Sequence, residues 1–208
     1  MNNTIKFGPG LAHLNDTEQG ARVDYQFALR ILQLFRDNGE FKEGVFIAGG
    51  SVRDMVHGVL PKDIDVVLLV PNEKMHDAGS LVDMMHYEVF KVYAREDFMD
   101  SYTDKFPGEE ERYRLIMKAR YWMEEEEDHP RPPVDLLFYA ERFKTLADVV
   151  DQHDFNINQF VFYIEETGQP IMDFWGMNLG TLMQVREGLT EDRIEHVQEI
   201  ARKLGWHV

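Results

Sequence analysis

The sequence contains no cysteine. Disulfides, thiol nucleophiles and cysteine-ligated zinc are therefore excluded, and the composition fits a cytoplasmic protein. No apolar run reaches the roughly 18 residues that a membrane span requires. The opening MNNTIKFGPG has no basic segment followed by an apolar one, so export by a signal peptide is not expected. Internal repeats and Gly/Ser linkers are missing too. The histidines show no H-x-x-x-H spacing, which argues against zinc. Positive charge is scarce: 22 Lys and Arg stand against 38 Asp and Glu, a formal net charge of −16 over 208 residues. Such a chain repels phosphodiester backbones at long range, so an extended basic nucleic-acid surface is not expected.

What is present is enough apolar material for a core, with 44% hydrophobic and 12% aromatic residues. The length suits one domain with at most a small appendage. Apolar spacing at Phe27, Ile31 and Leu34 predicts a helix from Thr17 to Asp37, capped by Thr17 and ended by Asn38-Gly39. Val45 to Ala48 reads as a buried strand broken by Gly49-Gly50. SVRDMVHG then fits a short helix, and Asp63 to Val70 a second strand stopped by Pro71. Lys74 to Val92 reads as a helix followed by a strand such as YEVFKVY. An acidic block spans 96–128 and ends in Glu124, Glu125, Glu126, Glu127 and Asp128, the pattern of a solvated helix end or loop. Within it Leu115, Ile116, Ala119, Trp122 and Met123 share one helical face. Val134 to Tyr139 reads as a strand, 145–151 as helical and Gln159 to Ile164 as extended. A last helix runs from Thr190 to Leu204, ended by Gly205. Irregular alternation of the two element types predicts an α+β fold with a mixed sheet.

The chemistry concentrates in VFIAGGSVRDMVHGVLPKDIDVVLLV, residues 45–70. Asp63 and Asp65 stand two apart on the predicted strand, so their carboxylates share a face. Two carboxylates held side by side repel each other, and a divalent cation between them relieves the cost. All-oxygen donors favour magnesium, which also binds substrate phosphates. The Gly49-Gly50 turn lets backbone N–H groups approach an anion, and the helix that follows would present its N-terminus to it. Ser51 can add a hydroxyl and Arg53 a charged fork. A lone D-x-D pair is usually innocent, as is a lone Gly-Gly. In strand–turn–helix–strand order the combination suits a metal-bound nucleoside triphosphate.

These residues resemble a family. GGSVRDMVHG followed by DID is similar to the head domain of CCA-adding tRNA nucleotidyltransferases and bacterial poly(A) polymerases, members of the DNA polymerase β-type nucleotidyltransferase superfamily. The matches fall at Gly49, Gly50, Val52, Arg53, Asp54, Asp63 and Asp65. PPVDLLFYAERF resembles the strand bearing the third carboxylate and places Asp135 there. HDFNINQFVF resembles the R-D-F-T-I-N segment at Asp154, Phe155, Ile157 and Asn158. IMDFWGMNLGTLMQVR resembles the D-P-x-G-G-x-x-D-L segment at Asp173, Gly176 and Leu179. RIEHVQEIARKLGW resembles the neck helix, with Arg193 at the position of a nucleotide-reading arginine.

The resemblance covers about 41–206 and implies a polymerase-β-like fold, a mixed sheet with helices on one side and an NTP in the cleft. It divides the chain into an N-terminal helical segment (1–40), a head domain (41–180) with an acidic helical insertion at about 95–130, and a neck-like C-terminal helix (181–208). It implies two magnesium ions held by Asp63, Asp65 and Asp135, with Asp135 also orienting the attacking hydroxyl. Gly49, Gly50, Ser51, Arg53, Asp154, Asn158 and Arg193 would bind the nucleotide. Competing readings stand beside these: an Arg53–Asp54 salt bridge, Asp154 as a buttress, Asp135 as a surface carboxylate, Arg193 as an ordinary helix residue. The chain also departs from the pattern. Gln152 and His153 stand where the family has two arginines, and Thr190 where it has an acidic partner for the base-reading arginine. The expected activity is transfer of an NMP to an acceptor hydroxyl, most directly an RNA 3′ end, in a phage-like compact protein. The alternatives are a protein or small-molecule acceptor, or a silent nucleotide sensor that keeps the fold.

Overall fold

The computed structural model describes residues 5–7, 19–37, 44–75, 77, 80, 90–97, 113–121 and 132–208. In chain order they form β1 (Ile5–Phe7), α1 (Gln19–Asp37), β2 (Val45–Ala48), α2 (Gly50–Val56), β3 (Ile64–Leu68), β4 (Phe90–Asp97), β5 (Tyr113–Tyr121), β6 (Val134–Tyr139), α3 (Leu146–Val150), β7 (Phe160–Ile164), β8 (Pro170–Phe174) and α4 (Glu191–Lys203). The strands make one eight-stranded mixed sheet in the order β1-β8-β7-β2-β3-β6-β5-β4. Neighbours pair antiparallel except β3 and β6, which run parallel.

Alternation along the strands sorts the side chains onto two faces. Val134, Leu136 and Phe138 of β6 join Ile64, Val66 and Leu68 of β3 in the larger core, with Phe27, Ile31 and Phe35 of α1, Val52 and Met55 of α2, and Val197 and Ala201 of α4. Leu34, expected in the buried stripe of α1, is only partly buried; Phe35 is fully buried instead. Burial of each such side chain stabilises the fold by about 1.5–3 kcal/mol. Leu137 and Tyr139 face the other way and pack with Val67, Phe143, Val149 and Val150. Three helices thus cover one face, while the short α3 sits on the opposite one. There Thr145 closes a capping box with Asp148. The proposed head and neck share a core, because Val197, Ala201 and Trp206 pack with α1, α2 and the sheet.

Two expectations need correction. Residues 113–121 form a strand, so the insertion at 95–130 is not helical where it is described. The apolar spacing misled because both faces of β5 are buried: Ile116 joins one core and Ala119 the other, which mimics an i, i+3 helical pair. The N-terminal segment is not purely helical either, since β1 pairs with β8 at the sheet edge. The helix and then strand expected between Lys74 and Val92 are found where residues are described: after the 3-10 turn Asn72–Lys74, Met75, Asp77 and Ser80 are helical, and the strand runs Phe90–Asp97. Thr17, Asn38-Gly39, Trp122, Met123 and the Glu124–Asp128 run lie outside the described residues.

The C-terminus is tied to α2 by a histidine. Trp206 Nε1 donates to His57 Nε2 at 3.2 Å, and His57 Nδ1 donates to the Arg53 carbonyl at 2.7 Å. A carbonyl only accepts, so the proton resides on Nδ1 and Nε2 receives the indole. The Trp206 ring also packs edge-on against Phe160 and Phe174.

Candidate active site

A cleft of about 770 Å³ opens between the smaller-core face of the sheet, α2 and one side of α4. Gly49, Gly50, Arg53, Asp63, Asp65, Asp154, Asn158 and Arg193 all line it. Residues taken from positions 49 to 193 therefore meet in one cavity. Asp65 reaches it from β3, on the same face as Val67. Asp63 lies just before that strand. Asp135 on β6 is the in-register partner of Asp65 across the parallel pair, so the two carboxylates project from the same face of adjacent strands. Asp135 itself is not part of the cleft wall. Among the described residues no group of three or more His, Asp or Glu side chains is close enough to hold a metal ion.

Magnesium does not need such a group. It retains waters and takes one or two carboxylates together with substrate phosphates. Asp63 and Asp65, two hard-oxygen donors in one cleft, fit that requirement as a pair.

Gly49 makes the turn possible. Its φ is 94° and ψ −145°, a conformation essentially restricted to glycine. A Cβ there would lie 3.5 Å from His153 Nε2 and 3.9 Å from Asp65 Oδ2. His153 Nδ1 donates to the Val150 carbonyl at 3.0 Å, which directs Nε2 toward the turn. Gly49→Ala is expected to cost about 1–3 kcal/mol of stability, read as a lower urea midpoint, and to weaken nucleotide binding by crowding the cleft.

Along the cleft wall runs a chain of polar and charged contacts. Arg53 binds Asp54 Oδ1 through Nε and Nη2, both at 2.7 Å, and donates from Nη1 to Asn158 Oδ1 at 2.7 Å. Asn158 Nδ2 donates to Asp154 Oδ1 at 3.0 Å, and Arg193 Nε donates to Asp154 Oδ2 at 2.5 Å. Arg53 is 7% exposed and Asn158 8%. Asn158 is thus a bridge between two arginines. Burial pushes the Asp54 carboxyl up, and the pull of Arg53 does not fully reverse it, while Asp63 adds repulsion. Burial also pushes Asp154 up, but Arg193 and Asn158 outweigh it and hold the carboxyl below its ordinary value. Ser51 is 2% exposed, lies outside the cleft wall, and its buried hydroxyl has no hydrogen-bond partner among the described residues. Three further cations of the wall, Lys62, Arg186 and Lys203, were not singled out from the sequence. The one indirect signal for Arg186 was that Gln152 and His153 stand where the resembling family has two arginines.

This is the fold of a nucleotidyltransferase head domain. A CCA-adding enzyme solved with ATP matches 100% of this chain with a TM-score of 0.60 and 16% identity, over 44% of its own length. The chain itself belongs to the Gad2 family, described as Gabija anti-defense 2 family protein, whose profile matches residues 22–182. Two other solved structures share the fold. A Thermotoga maritima CCA-adding enzyme complexed with tRNA matches 98% of this chain and 40% of that one, at TM-score 0.51 and 18% identity. A tRNA-processing enzyme in an apo form matches 88% and 43%, at TM-score 0.53 and 18% identity. The chain spans less than half the length of these structures. No curated protein matches its sequence. The likeness to CCA-adding enzymes is therefore one of fold, and the family is Gad2. No helix among the described residues is long and apolar enough to cross a membrane.

Proposed function

We propose that this protein is a magnesium-dependent nucleotidyltransferase that transfers an NMP from an NTP to an acceptor hydroxyl. The observation that carries the reading is the meeting of Asp63 and Asp65 with the Gly49-Gly50 turn in one cleft, with Asp135 in register beside Asp65. Asp63 and Asp65 would hold the metal, and Asp135 would orient the attacking hydroxyl. When bound, magnesium supplies charge neutralisation at the phosphoryl group and eases loss of the hydroxyl proton. A bond forms from the acceptor oxygen to the α-phosphorus, the α–β phosphoanhydride bond breaks, and pyrophosphate leaves. Gly49, Gly50 and Arg53 would face the phosphates, and Arg193 the nucleoside. Positioning and electrostatics then account for most of the rate.

The tRNA bound to the Thermotoga maritima relative supports an RNA 3′ end as acceptor. A second reading, a hydroxyl on a protein, is favoured by the net charge of −16, which opposes a polyanionic acceptor. The family description adds a setting: the transfer would act against Gabija defence. Incubation with each α-labelled NTP, magnesium, total RNA and cell lysate tests both. Label on RNA is expected under the first reading and label on protein under the second. A shift in melting temperature with Mg-NTP but no transferred label would identify a silent sensor. Neither label nor shift for any nucleotide would end the proposal.

A further inference from the structure

The three arginines of the cleft are not equivalent. The guanidinium of Arg53 is taken up by Asp54 and Asn158, and that of Arg193 is paired with Asp154. Arg186 forms no ion pair among the described residues. Its Nη1 donates a single long hydrogen bond, 3.4 Å, to the carbonyl of Gln152, 34 positions away in sequence. Glu187 beside it lines the cleft as well, without pairing to it.

The backbone fixes where Arg186 sits. The N–H groups of Val185 and Arg186 both donate to the Asp154 carbonyl, at 2.8 and 3.2 Å, and Gln184 forms a bridge with Phe155. From that backbone position its guanidinium reaches the carbonyl of Gln152, the residue next to His153. His153 adjoins the Gly49 turn, where its Nε2 and Asp65 Oδ2 lie within 3.9 Å of one point.

Resting on the nucleotidyltransferase reading, we infer that Arg186 is a further residue that grips the phosphate groups of the nucleotide, beyond those that line the Gly49-Gly50 turn. A planar guanidinium matches phosphate oxygens with paired donors. Arg53 and Arg193 have spent donors on carboxylates, so a polyanion entering the cleft meets at Arg186 a fork that no carboxylate holds. The weak bond to Gln152 is a small loss when phosphate replaces it. The charge that Gln152 and His153 do not supply then comes from the loop before α4.

Titration calorimetry on the full chain tests this with three probes: Mg-ATP, Mg-CTP and Mg-tripolyphosphate. Arg186→Ala is expected to weaken all three by a similar factor of about ten or more, because the lost contact is to the shared phosphates. Arg186→Lys should recover part of that, as a point charge without the fork. The melting temperature of the ligand-free variants should stay within a few degrees of the parent. Unchanged affinity in Arg186→Ala, or a loss confined to one nucleotide with tripolyphosphate unaffected, would overturn the assignment while leaving the nucleotidyltransferase reading in place. A parent protein that binds none of the three would overturn both.

Discussion

Asp63→Ala combined with Asp65→Ala is expected to abolish nucleotide transfer, a loss of at least about a thousand-fold, without unfolding the protein. Both carboxylates enter the same cleft, and both lie on the rim of β3, outside the larger core. Their removal takes away the hard-oxygen donors that would hold magnesium. It also removes one of two like charges held in register, since Asp65 stands opposite Asp135. The melting temperature should therefore move by only a few degrees. The decisive comparison is label transfer against thermal melting in the same preparation. Transfer at the parent rate would refute the metal assignment, and a collapsed melting temperature would show that the pair is structural.

The second large effect concerns stability. Asp154→Ala removes the acceptor that joins Arg193, Asn158 and the Phe155 N–H. The donors left behind include the buried amide of Asn158, which itself holds Arg53. The expected cost is about 2–3 kcal/mol, since Arg193 is partly exposed and recovers some solvation. For a chain of this size that corresponds to a fall of roughly 5–10 °C in melting temperature. Asp154→Asn should lose less, because the oxygen can still accept. Acid titration reports the same contact. The Asp154 carboxyl is held below its unfolded value, so its contribution is fully present above that value and is lost as pH falls through the lower folded one. The window lies below about pH 4. Asp54 acts in the opposite sense: its carboxyl is raised, so it favours the fold at low pH and opposes it once ionised. In Asp154→Ala the final acid-induced loss of stability should be shallower than in the parent, as followed by circular dichroism across pH 2–6.

Much of the centre of the fold was legible from residues alone. Val45–Ala48, Gly49-Gly50 and the D-x-D pair announced strand, turn and strand because short apolar runs bounded by Gly and Pro leave little choice. The short helix at 50–56 and the last helix after Thr190 were legible for the same local reasons. Long-range pairing was not. Nothing near Ile5 says that it will lie beside Phe174, and that edge was read as helical territory. β5 failed because its apolar residues serve two cores, which erases the period-two signal. At the site, sequence spacing named positions that mostly line one cleft, but not their partners. Asn158 was expected against a nucleoside, whereas its amide spans Arg53 and Asp154. Arg186 escaped notice because its importance depends on what the other two arginines are already bound to.

The single parallel pair in the sheet has a consequence for how such a protein can change. β3 and β6 lie edge to edge, yet the chain between them leaves to build β4 and β5 on the outer flank before returning. β5 is anchored by Ile116 and Ala119, but β4 beyond it lies at the sheet edge, so that outer part can vary while Asp65 and Asp135 keep their spacing. A lineage pressed to vary its outer surface could remodel the outermost strand and leave Asp65 and Asp135 where they are.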